Sequence, residues 1–346
     1  MRIILDAMGG DHAPEAMVQG ALDAVAEFGV ELTLVGRGPE LLEILKQKGV
    51  QTLPKGLEIS HAPDVVDMHA NPTMVLKEHP ESSMVLGLKL LHDGEGDAFV
   101  SAGNTGALLT GATLACKRIR GIRRAAMGPV IPNRHGGTVL IDAGANVDCT
   151  PEYLLQFGYM GSFYASRMLG KQNPRVGLLS NGTEDTKGGA LRLETYALLR
   201  QAHEAGRLNF AGNVEARDVF DGQVDVIVAD GFSGNVLLKS IEGTAGYLMK
   251  ELKGVFKKNL LTKLGALCVM GGLKELKGLM DYRESGGTVL LGISKPVIKA
   301  HGSSDARAIR SAVRQAMEVV NSGLVQAIEE NVDAMRVDAH HPGRDA

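Results

Sequence analysis

Glycine, asparagine, serine and threonine are concentrated in four loops, each of which follows a short apolar run and precedes a helical pattern. The loops are SAGNTG (101–106), AGAN (143–146), NGTE (181–184) and GFSGN (231–235). Free main-chain N–H groups at a helix N-terminus attract anions such as phosphate. The loops also carry more polar side chains than a turn requires, namely Asn104, Thr105, Asn146, Asn181, Thr183, Ser233 and Asn235. We therefore predict a phosphate site, although the same residue types also serve as ordinary helix caps.

Strand and helix patterns alternate along the chain, which predicts a doubly wound, mostly parallel α/β sheet with helices on both faces. The predicted strands are residues 2–5, 31–35, 57–60, 98–100, 138–142, 175–180 and 224–229. The predicted helices are residues 14–28, 39–48, 84–92, 106–117, 151–169, 188–205 and 305–330. In such sheets ligands bind beyond the carboxyl ends of the strands, so the four loops are expected to converge on one site.

Composition predicts one globular α/β domain over residues 1–336, with an amphipathic helical segment (247–280) inserted and a frayed tail at 337–346. The 346 residues are 44% hydrophobic and 22% charged. A net charge of −3 and an aromatic content of 4% argue against a nucleic-acid partner. Cys116, Cys149 and Cys268 are odd in number and widely spaced, as expected of reduced thiols. Together with the absence of a signal-peptide or membrane-spanning pattern, this predicts a cytoplasmic protein.

Motifs for serine hydrolysis, zinc proteolysis and nucleotide phosphoryl transfer are absent from the sequence. A weak dinucleotide-binding pattern at 36–38, with Glu58 about 20 residues on, leaves a nicotinamide enzyme as an alternative. The strand-end carboxylates Asp6, Asp142 and Asp230 are either helix caps or a magnesium set, and we predict no metal site. A phosphate site without a nucleophile motif suits a reaction in which phosphate itself attacks, and a thioester is a suitable electrophile.

Six colinear motifs in residues 1–305 resemble those of the bacterial phosphate acyltransferases. They are DAMGGDHAP (6–14), SAGNTGA (101–107), DAGAN (142–146), LSNGTE with a following KG (179–188), DGFSGNV with Lys239 (230–239) and HGSS (301–304). One departure is Thr288-Val289, where the family pattern has Ala-Pro.

The resemblance implies transfer of a long-chain acyl group from acyl-(acyl-carrier-protein) to inorganic phosphate, which gives acyl phosphate for phosphatidic acid and phospholipid synthesis. It also implies a fold similar to phosphate acetyltransferase and the isocitrate dehydrogenase group, no cofactor and a homodimer. A peripheral association with the membrane, where a glycerol-3-phosphate acyltransferase resides, is implied as well.

Within that reaction we assign hypothetical roles to individual residues. Lys187 and Lys239 supply positive charge to phosphate, and the amides of Gly103, Asn104 and Gly182 complete its cradle. Asn235 or Asn181 donates to the developing oxyanion, and His12 protonates the departing thiolate or holds phosphate. The alternative is that these lysines are solvated helix-face residues, and it has more weight for Lys239 than for Lys187.

Two positively charged segments indicate partners. Residues 117–124 contain five cations in eight residues, which suits an acidic acyl carrier protein or a solvated connector. Residues 247–280 combine apolar residues with seven lysines and two glutamates, a local balance of +5. That pattern predicts either a helical hairpin that packs in a dimer interface or one whose far end, near residues 260–270, lies on an anionic membrane surface.

Two alternative functions remain open from the sequence. One is a coenzyme A-dependent phosphotransacetylase, and the other is a non-catalytic protein that binds a phosphometabolite.

Overall fold

The computed structural model of the chain describes residues 1–133, 135–279 and 286–336. The strands in these ranges are β1 (Arg2–Asp6), β2 (Glu31–Gly36), β3 (Leu57–His61), β4 (Ala98–Ser101), β5 (Ala126–Gly128), β6 (Val130–Ile131), β7 (Thr138–Ile141), β8 (Val176–Leu179), β9 (Phe210–Val214), β10 (Val226–Val228), β11 (Thr288–Leu291) and β12 (Val297–Lys299). The helices are α1 (Glu15–Phe28), α2 (Gly38–Gln47), α3 (Val75–Glu78), α4 (Ser83–Asp93), α5 (Thr105–Ala115), α6 (Pro151–Leu169), α7 (Ala190–Glu204), α8 (Gly231–Lys257), α9 (Leu260–Leu279), α10 (Ala306–Ser322) and α11 (Leu324–Glu330). The predicted tail at 337–346 lies outside the described residues.

The strands form two sheets, where the sequence predicted one. The first has the order β3-β2-β1-β4-β12-β11-β5, and the second has the order β6-β7-β10-β8-β9. In the first sheet β11 runs antiparallel to its two neighbours, and in the second β6 runs antiparallel to β7; the other pairs are parallel. The chain passes between the sheets at Pro129, which separates β5 from β6.

Helices cover both faces of each sheet, which confirms the predicted mostly parallel α/β class. The largest hydrophobic cluster includes Ile3 of the first sheet and Val226 of the second, and it extends into α1, α6 and α10. Alternate residues on the strands point to the opposite face of each sheet, as the two-residue period of a strand requires. On those faces Phe99 packs with α4 and α5, and Ile227 packs near Leu237 of α8.

All seven predicted strands are present within a residue or two at each end, but β5, β6, β9, β11 and β12 were not predicted. Four of the missed strands have only two to four residues, whereas β9 has five and contains a register irregularity opposite Val176 and Gly177. Residues 288–291, where the sequence departs from the family pattern, form β11 between β12 and β5. Short segments of this kind carry too little periodicity to be separated from loops in the sequence.

The predicted helix at 305–330 is wrong in one respect, because the structure divides it at Gly323 into α10 and α11. Gly323 has φ +64°, a left-handed conformation that side-chain-bearing residues rarely adopt. Its N–H donates to the carbonyl of Val320, which terminates α10.

The helical segment predicted at 247–280 begins earlier than expected, since α8 starts at Gly231 and is 27 residues long. The buried residues of α8 are Gly231, Gly234 and Leu237, all in its first two turns. Further along its length, α8 packs against α9. No helix among residues 1–133, 135–279 and 286–336 is long and apolar enough to cross a bilayer.

Candidate active site

A cavity of about 660 Å³ lies where the carboxyl ends of strands from both sheets face each other. Three of the four predicted loops contribute to it, through Thr105, Gly144 and Asn235. The loop at 181–184 does not line it. Four further lining residues form what is here called the polar end of the cavity, namely Lys239, Glu242, Lys299 and His301; Thr288, Gln315 and Glu318 also line the cavity.

Asp230 and Gly234 position Asn235. The Asp230 carboxylate caps α8 by accepting from the Ser233 main-chain N–H at 2.9 Å. An ideal Cβ at Gly234 would lie 1.9 Å from the Asp142 carbonyl oxygen, so only glycine allows α8 to approach the β7 end this closely. The approach brings Asn235 against Gly144 at the cavity wall.

Arg192 was not identified from the sequence, yet it connects three of the elements around the site. Its guanidinium donates to Asp230, to the Ser233 hydroxyl at 3.0 Å and to the Leu179 carbonyl at the end of β8. Burial acts to raise the pKa of Asp230, but the Ser233 N–H and Arg192 outweigh it and hold that pKa below its ordinary value. Ser233, a predicted substrate ligand, is thereby engaged in an internal network.

Asn104 and Asn146 also use their side chains within the protein. Asn104 caps α5 and donates to the carbonyls of Met68 at 2.6 Å and Ala70 at 3.4 Å, which fastens the 62–82 segment beside the cavity. Asn146 donates to the Ala125 carbonyl at 2.8 Å and to Asp142 at 3.1 Å. Both asparagines therefore shape the loops in which they lie.

Asp6 is buried at the end of β1 and organises the neighbouring loops. It accepts hydrogen bonds of 2.6 Å from the hydroxyls of Ser83 and Ser101. Burial raises the pKa of this carboxyl, and the bonds from Ser101 and Ser83 oppose the rise. The predicted phosphate donor Gly103 gives its N–H to Ser101 Oγ at 3.1 Å.

Lys299 is the principal site residue that the sequence analysis missed. It ends β12, is 7% exposed, and donates from Nζ to the main-chain carbonyls of Ala102 and Ala300. Burial lowers its pKa to about 8, and Asp6 and Asp11 oppose that effect. Its signal in the sequence was a lysine that ends an apolar run two residues before His301.

A second cation and a histidine lie close to Lys299. Lys239, on α8, forms a 2.6 Å ion pair with Glu242 and is 55% exposed. Burial lowers the pKa of His301, and the positive charge of Lys239 lowers it further. The two lysines place positive charge at the polar end of the cavity, and the lowered pKa of His301 favours its neutral form.

The remaining predicted residues do not line the cavity. Asn181, Thr183 and Lys187 are exposed on the loop after β8, where Gly182 is buried beneath Lys187. His12 is exposed on the loop after β1, and that loop is joined to the cavity wall because the Asp11 N–H donates to the Gly302 carbonyl at 2.8 Å.

The three strand-end aspartates accept hydrogen bonds from protein groups, as Asp142 does from the Met127 and Asn146 N–H groups. Within the described ranges no cluster of three or more His, Cys, Asp or Glu side chains is arranged to hold a metal. Glu58, the candidate ribose ligand, is ion-paired with Arg2 at 3.1 Å.

Away from the lysines, the cavity wall is mainly apolar. Its apolar residues include Met127, Pro129, Val130, Ile131, Pro132, Met168, Leu169, Phe220, Leu238, Ile241 and Ala245. A site with cations at one end and a long apolar wall suits a ligand that joins an anionic or polar head to a hydrocarbon chain.

The comparisons with known proteins agree on one family. The family model described as fatty acid synthesis protein matches residues 1–327. The phosphate acyltransferase of Thermoanaerobacterium thermosaccharolyticum is 44% identical over 338 residues, which cover 98% of both chains. That of Desulfitobacterium hafniense (strain DCB-2) is 46% identical and covers 96% of this chain and 98% of its own.

Solved structures with low sequence identity share the fold. A phosphotransacetylase from Streptococcus pyogenes superposes with a TM-score of 0.61 at 17% identity over 94% of each chain. The EutD phosphotransacetylase from Staphylococcus aureus has a TM-score of 0.58 at 14% identity, again over 94% of each chain. These similarities agree with the expected phosphate acetyltransferase-like architecture.

Proposed function

Because the chain belongs to the phosphate acyltransferase family, we propose that its acyl donor is a long-chain acyl-(acyl-carrier-protein) thioester. The enzyme is an acyltransferase of lipid biosynthesis that transfers an acyl group to phosphate. Family membership argues against the non-catalytic alternative. The observation that carries the proposal is the cavity in which two lysines adjoin an apolar wall.

In the proposed reaction a phosphate oxygen attacks the thioester carbonyl carbon. Lys239 and Lys299 hold the phosphate, and Asn235 donates to the oxyanion that develops on the carbonyl oxygen. The carbon–sulfur bond then breaks, acyl phosphate forms, and the thiolate leaves with a proton from His12 or from water. Phosphate is already anionic at neutral pH, so the site needs to position it rather than to activate it.

Lys187 remains a proposed catalytic residue although it lies outside the cavity wall. It is on the loop at the carboxyl end of β8, and Arg192 ties the start of α7 to Asp230 of the site. A loop that is exposed at this edge of the sheet can close over bound phosphate, with Asn181, Gly182 and Thr183 approaching alongside.

Residues 117–124, here called the basic segment, supply a docking surface for an acidic carrier protein. Their five cationic side chains are exposed, while Ile119 and Ile122 are buried and anchor the segment. The segment leads directly into β5, where Met127 lines the cavity. A carrier protein bound there has a short path for its acyl arm into the site.

The hairpin of α8 and α9 supports the proposed homodimer and peripheral membrane association. Large apolar side chains remain exposed on α8, including Phe232, Val236, Tyr247 and Leu248, and these suit a second copy of the chain. The exposed Leu261, Leu264 and Leu267 of α9 lie beyond the turn and suit an anionic membrane surface. Acyl phosphate then passes from this cytoplasmic enzyme to the membrane-bound glycerol-3-phosphate acyltransferase.

The test is a mass-spectrometric search for acyl phosphate after the protein is mixed with phosphate and either palmitoyl-carrier protein or palmitoyl-coenzyme A. We expect acyl phosphate from the carrier-protein thioester, and none when sulfate replaces phosphate. Formation from the coenzyme A thioester alone would support the coenzyme A-dependent alternative. Formation from neither donor would reject the proposal.

A further inference from the structure

One face of α8 forms a continuous side of the cavity. Asn235, Leu238, Ile241 and Ala245 all line it, at spacings of three or four residues that place them on one side of a helix. At a rise of 1.5 Å per residue, the ten steps along the helix from Asn235 to Ala245 span about 15 Å. Lys239 and Glu242 also line the cavity from the adjacent stripe of α8, so the apolar stripe of Leu238, Ile241 and Ala245 runs beside the polar end.

Other elements contribute mainly apolar side chains to the lining. They include Ile131 and Pro132 of the β6 segment and Met168 and Leu169 at the end of α6, together with the polar residues Gln315 and Glu318. Phe220 adds an aromatic ring from the 3₁₀ turn Ala216–Asp221. An apolar channel that starts beside Asn235 suits a hydrocarbon chain whose carbonyl group is held there.

Its dimensions fit the acyl chain of a membrane lipid. The hydrocarbon core of a bilayer is about 30 Å thick, so each of its two opposed acyl chains spans about 15 Å. That length equals the distance along α8 from Asn235 to Ala245.

We propose that this channel holds the donor's acyl chain and that Ala245, at its far end, sets the longest chain that the enzyme accepts. The inference rests on the proposed function and adds the position and the length limit of the chain. Ala245 carries the smallest side chain among the α8 residues that line the channel, so it leaves room at the end. A larger side chain there shortens the channel without changing Asn235 or the lysines.

The test is a graded series, Ala245→Val, Ala245→Leu and Ala245→Phe, assayed with carrier-protein thioesters from octanoyl to palmitoyl. Each methylene that can no longer be buried weakens binding about fourfold. We expect kcat/KM for palmitoyl to fall about tenfold or more in Ala245→Phe, with a smaller loss in Ala245→Val, while octanoyl turnover is retained. Retained octanoyl turnover also shows that the variants fold.

Thr244→Phe is the matched control, because Thr244 is exposed on the same helix and does not line the cavity. It should leave the ratio of palmitoyl to octanoyl turnover unchanged. An unchanged ratio in all three Ala245 variants would overturn the inference, as would equal losses for every chain length. A shift of Ala245→Phe to monomers on sedimentation, with chain preference intact, would instead assign this wall to a subunit interface and also overturn it.

Failure of the proposed function has a different signature, since the unaltered protein would then turn over no carrier-protein thioester of any length.

Discussion

The two lysines at the polar end of the cavity differ in environment, and the difference makes one of them sensitive to pH. Lys239 is 55% exposed and paired with Glu242, whereas Lys299 is 7% exposed and held by main-chain carbonyls. Desolvation disfavours the charged form of a buried lysine. Phosphate binding at this end therefore depends on a cation whose charge is maintained only below its lowered pKa.

We predict that KM for phosphate rises as pH increases through about 8, the pKa of Lys299. Below that pH Lys299 is charged and attracts phosphate; above it, the amine is neutral and the attraction is lost. Lys299→Arg keeps the charge because arginine does not titrate in this range, and it should show a flat profile. Lys299→Met should have a high KM at every pH. A flat profile for the unaltered enzyme between pH 7 and 9.5 would exclude this role.

We predict that Lys187→Ala lowers kcat/KM for phosphate about ten- to a hundredfold, the loss of one charge-assisted contact. The thermal midpoint should not change, because Lys187 is exposed. Lys187→Arg should retain more activity, and Thr186→Ala on the same exposed loop is the control. Normal activity of Lys187→Ala at low phosphate would show that Lys187 does not contact phosphate and is an ordinary solvated lysine.

Two elements, the basic segment and the α8–α9 hairpin, present surfaces that the cavity does not use. The basic segment is tied down by main-chain and apolar contacts, such as the Arg123 N–H to Gln156 Oε1 at 2.8 Å. Its cationic side chains are therefore displayed on a fixed backbone. The hairpin carries leucines that are exposed and do not pack into the hydrophobic core. Each surface can be altered without disturbing the site.

We predict that Arg120→Glu, Arg123→Glu and Arg124→Glu together raise KM for acyl-carrier protein and flatten its dependence on salt. Complementary charge acts mainly on the rate of encounter, so KM for phosphate should be unaffected. The control reverses three exposed lysines elsewhere, Lys46, Lys48 and Lys55, for the same change in net charge. If both triple variants behave alike at low ionic strength, the segment is only a solvated connector.

We predict that replacing Leu261, Leu264 and Leu267 with serine abolishes flotation with anionic liposomes while the protein sediments as a dimer. These side chains are 80%, 57% and 62% exposed, so their loss should not affect the core. Serine at the exposed leucines Leu42, Leu114 and Leu193 serves as the control and should leave flotation intact. Dissociation of the hairpin variant into monomers, or its continued flotation, would contradict the membrane assignment.

At the scale of the whole molecule, two sheets share one hydrophobic core and enclose one site. The same cluster contains Ile3 of β1 and Val139 of β7, with α6 and α10 packed between the sheets. The site lies across this junction, since Lys299 comes from the first sheet and Asn235 follows the second. The geometry of the reaction therefore depends on both sheets keeping their relative positions.

We predict that the chain unfolds in one cooperative thermal transition, as a single domain over residues 1–336. A shared core couples the two sheets, so we expect that neither is stable alone. The measurement is calorimetry, in which the calorimetric and van't Hoff enthalpies should agree and phosphate should raise the midpoint. Two separated transitions would show that the sheets are independent domains.

Many of the residues at the site could be predicted from the sequence, because the functional residues of a βα loop are close together in the chain. The loops at 101–106, 143–146 and 231–235 were identified from glycine and polar residues, and members of all three line the cavity. Lys299 could not be identified in this way. Its surroundings are formed by Ala102 and Asp6, nearly two hundred residues or more away in the chain, and no local pattern encodes such a contact.

The sequence by itself determined the α/β class, seven of the twelve described strands, most helix limits and the family, because each rests on local periodicity, end signals or colinear motifs. Only the tertiary structure decided that there are two sheets, that Ser233, Asn104 and Asn146 serve the loops, and that the cavity has an apolar channel along α8. The physical reason is that burial and hydrogen-bond partners arise when distant segments pack. Only that packing determines whether a polar side chain is used in hydrogen bonds within the protein or can contact a ligand.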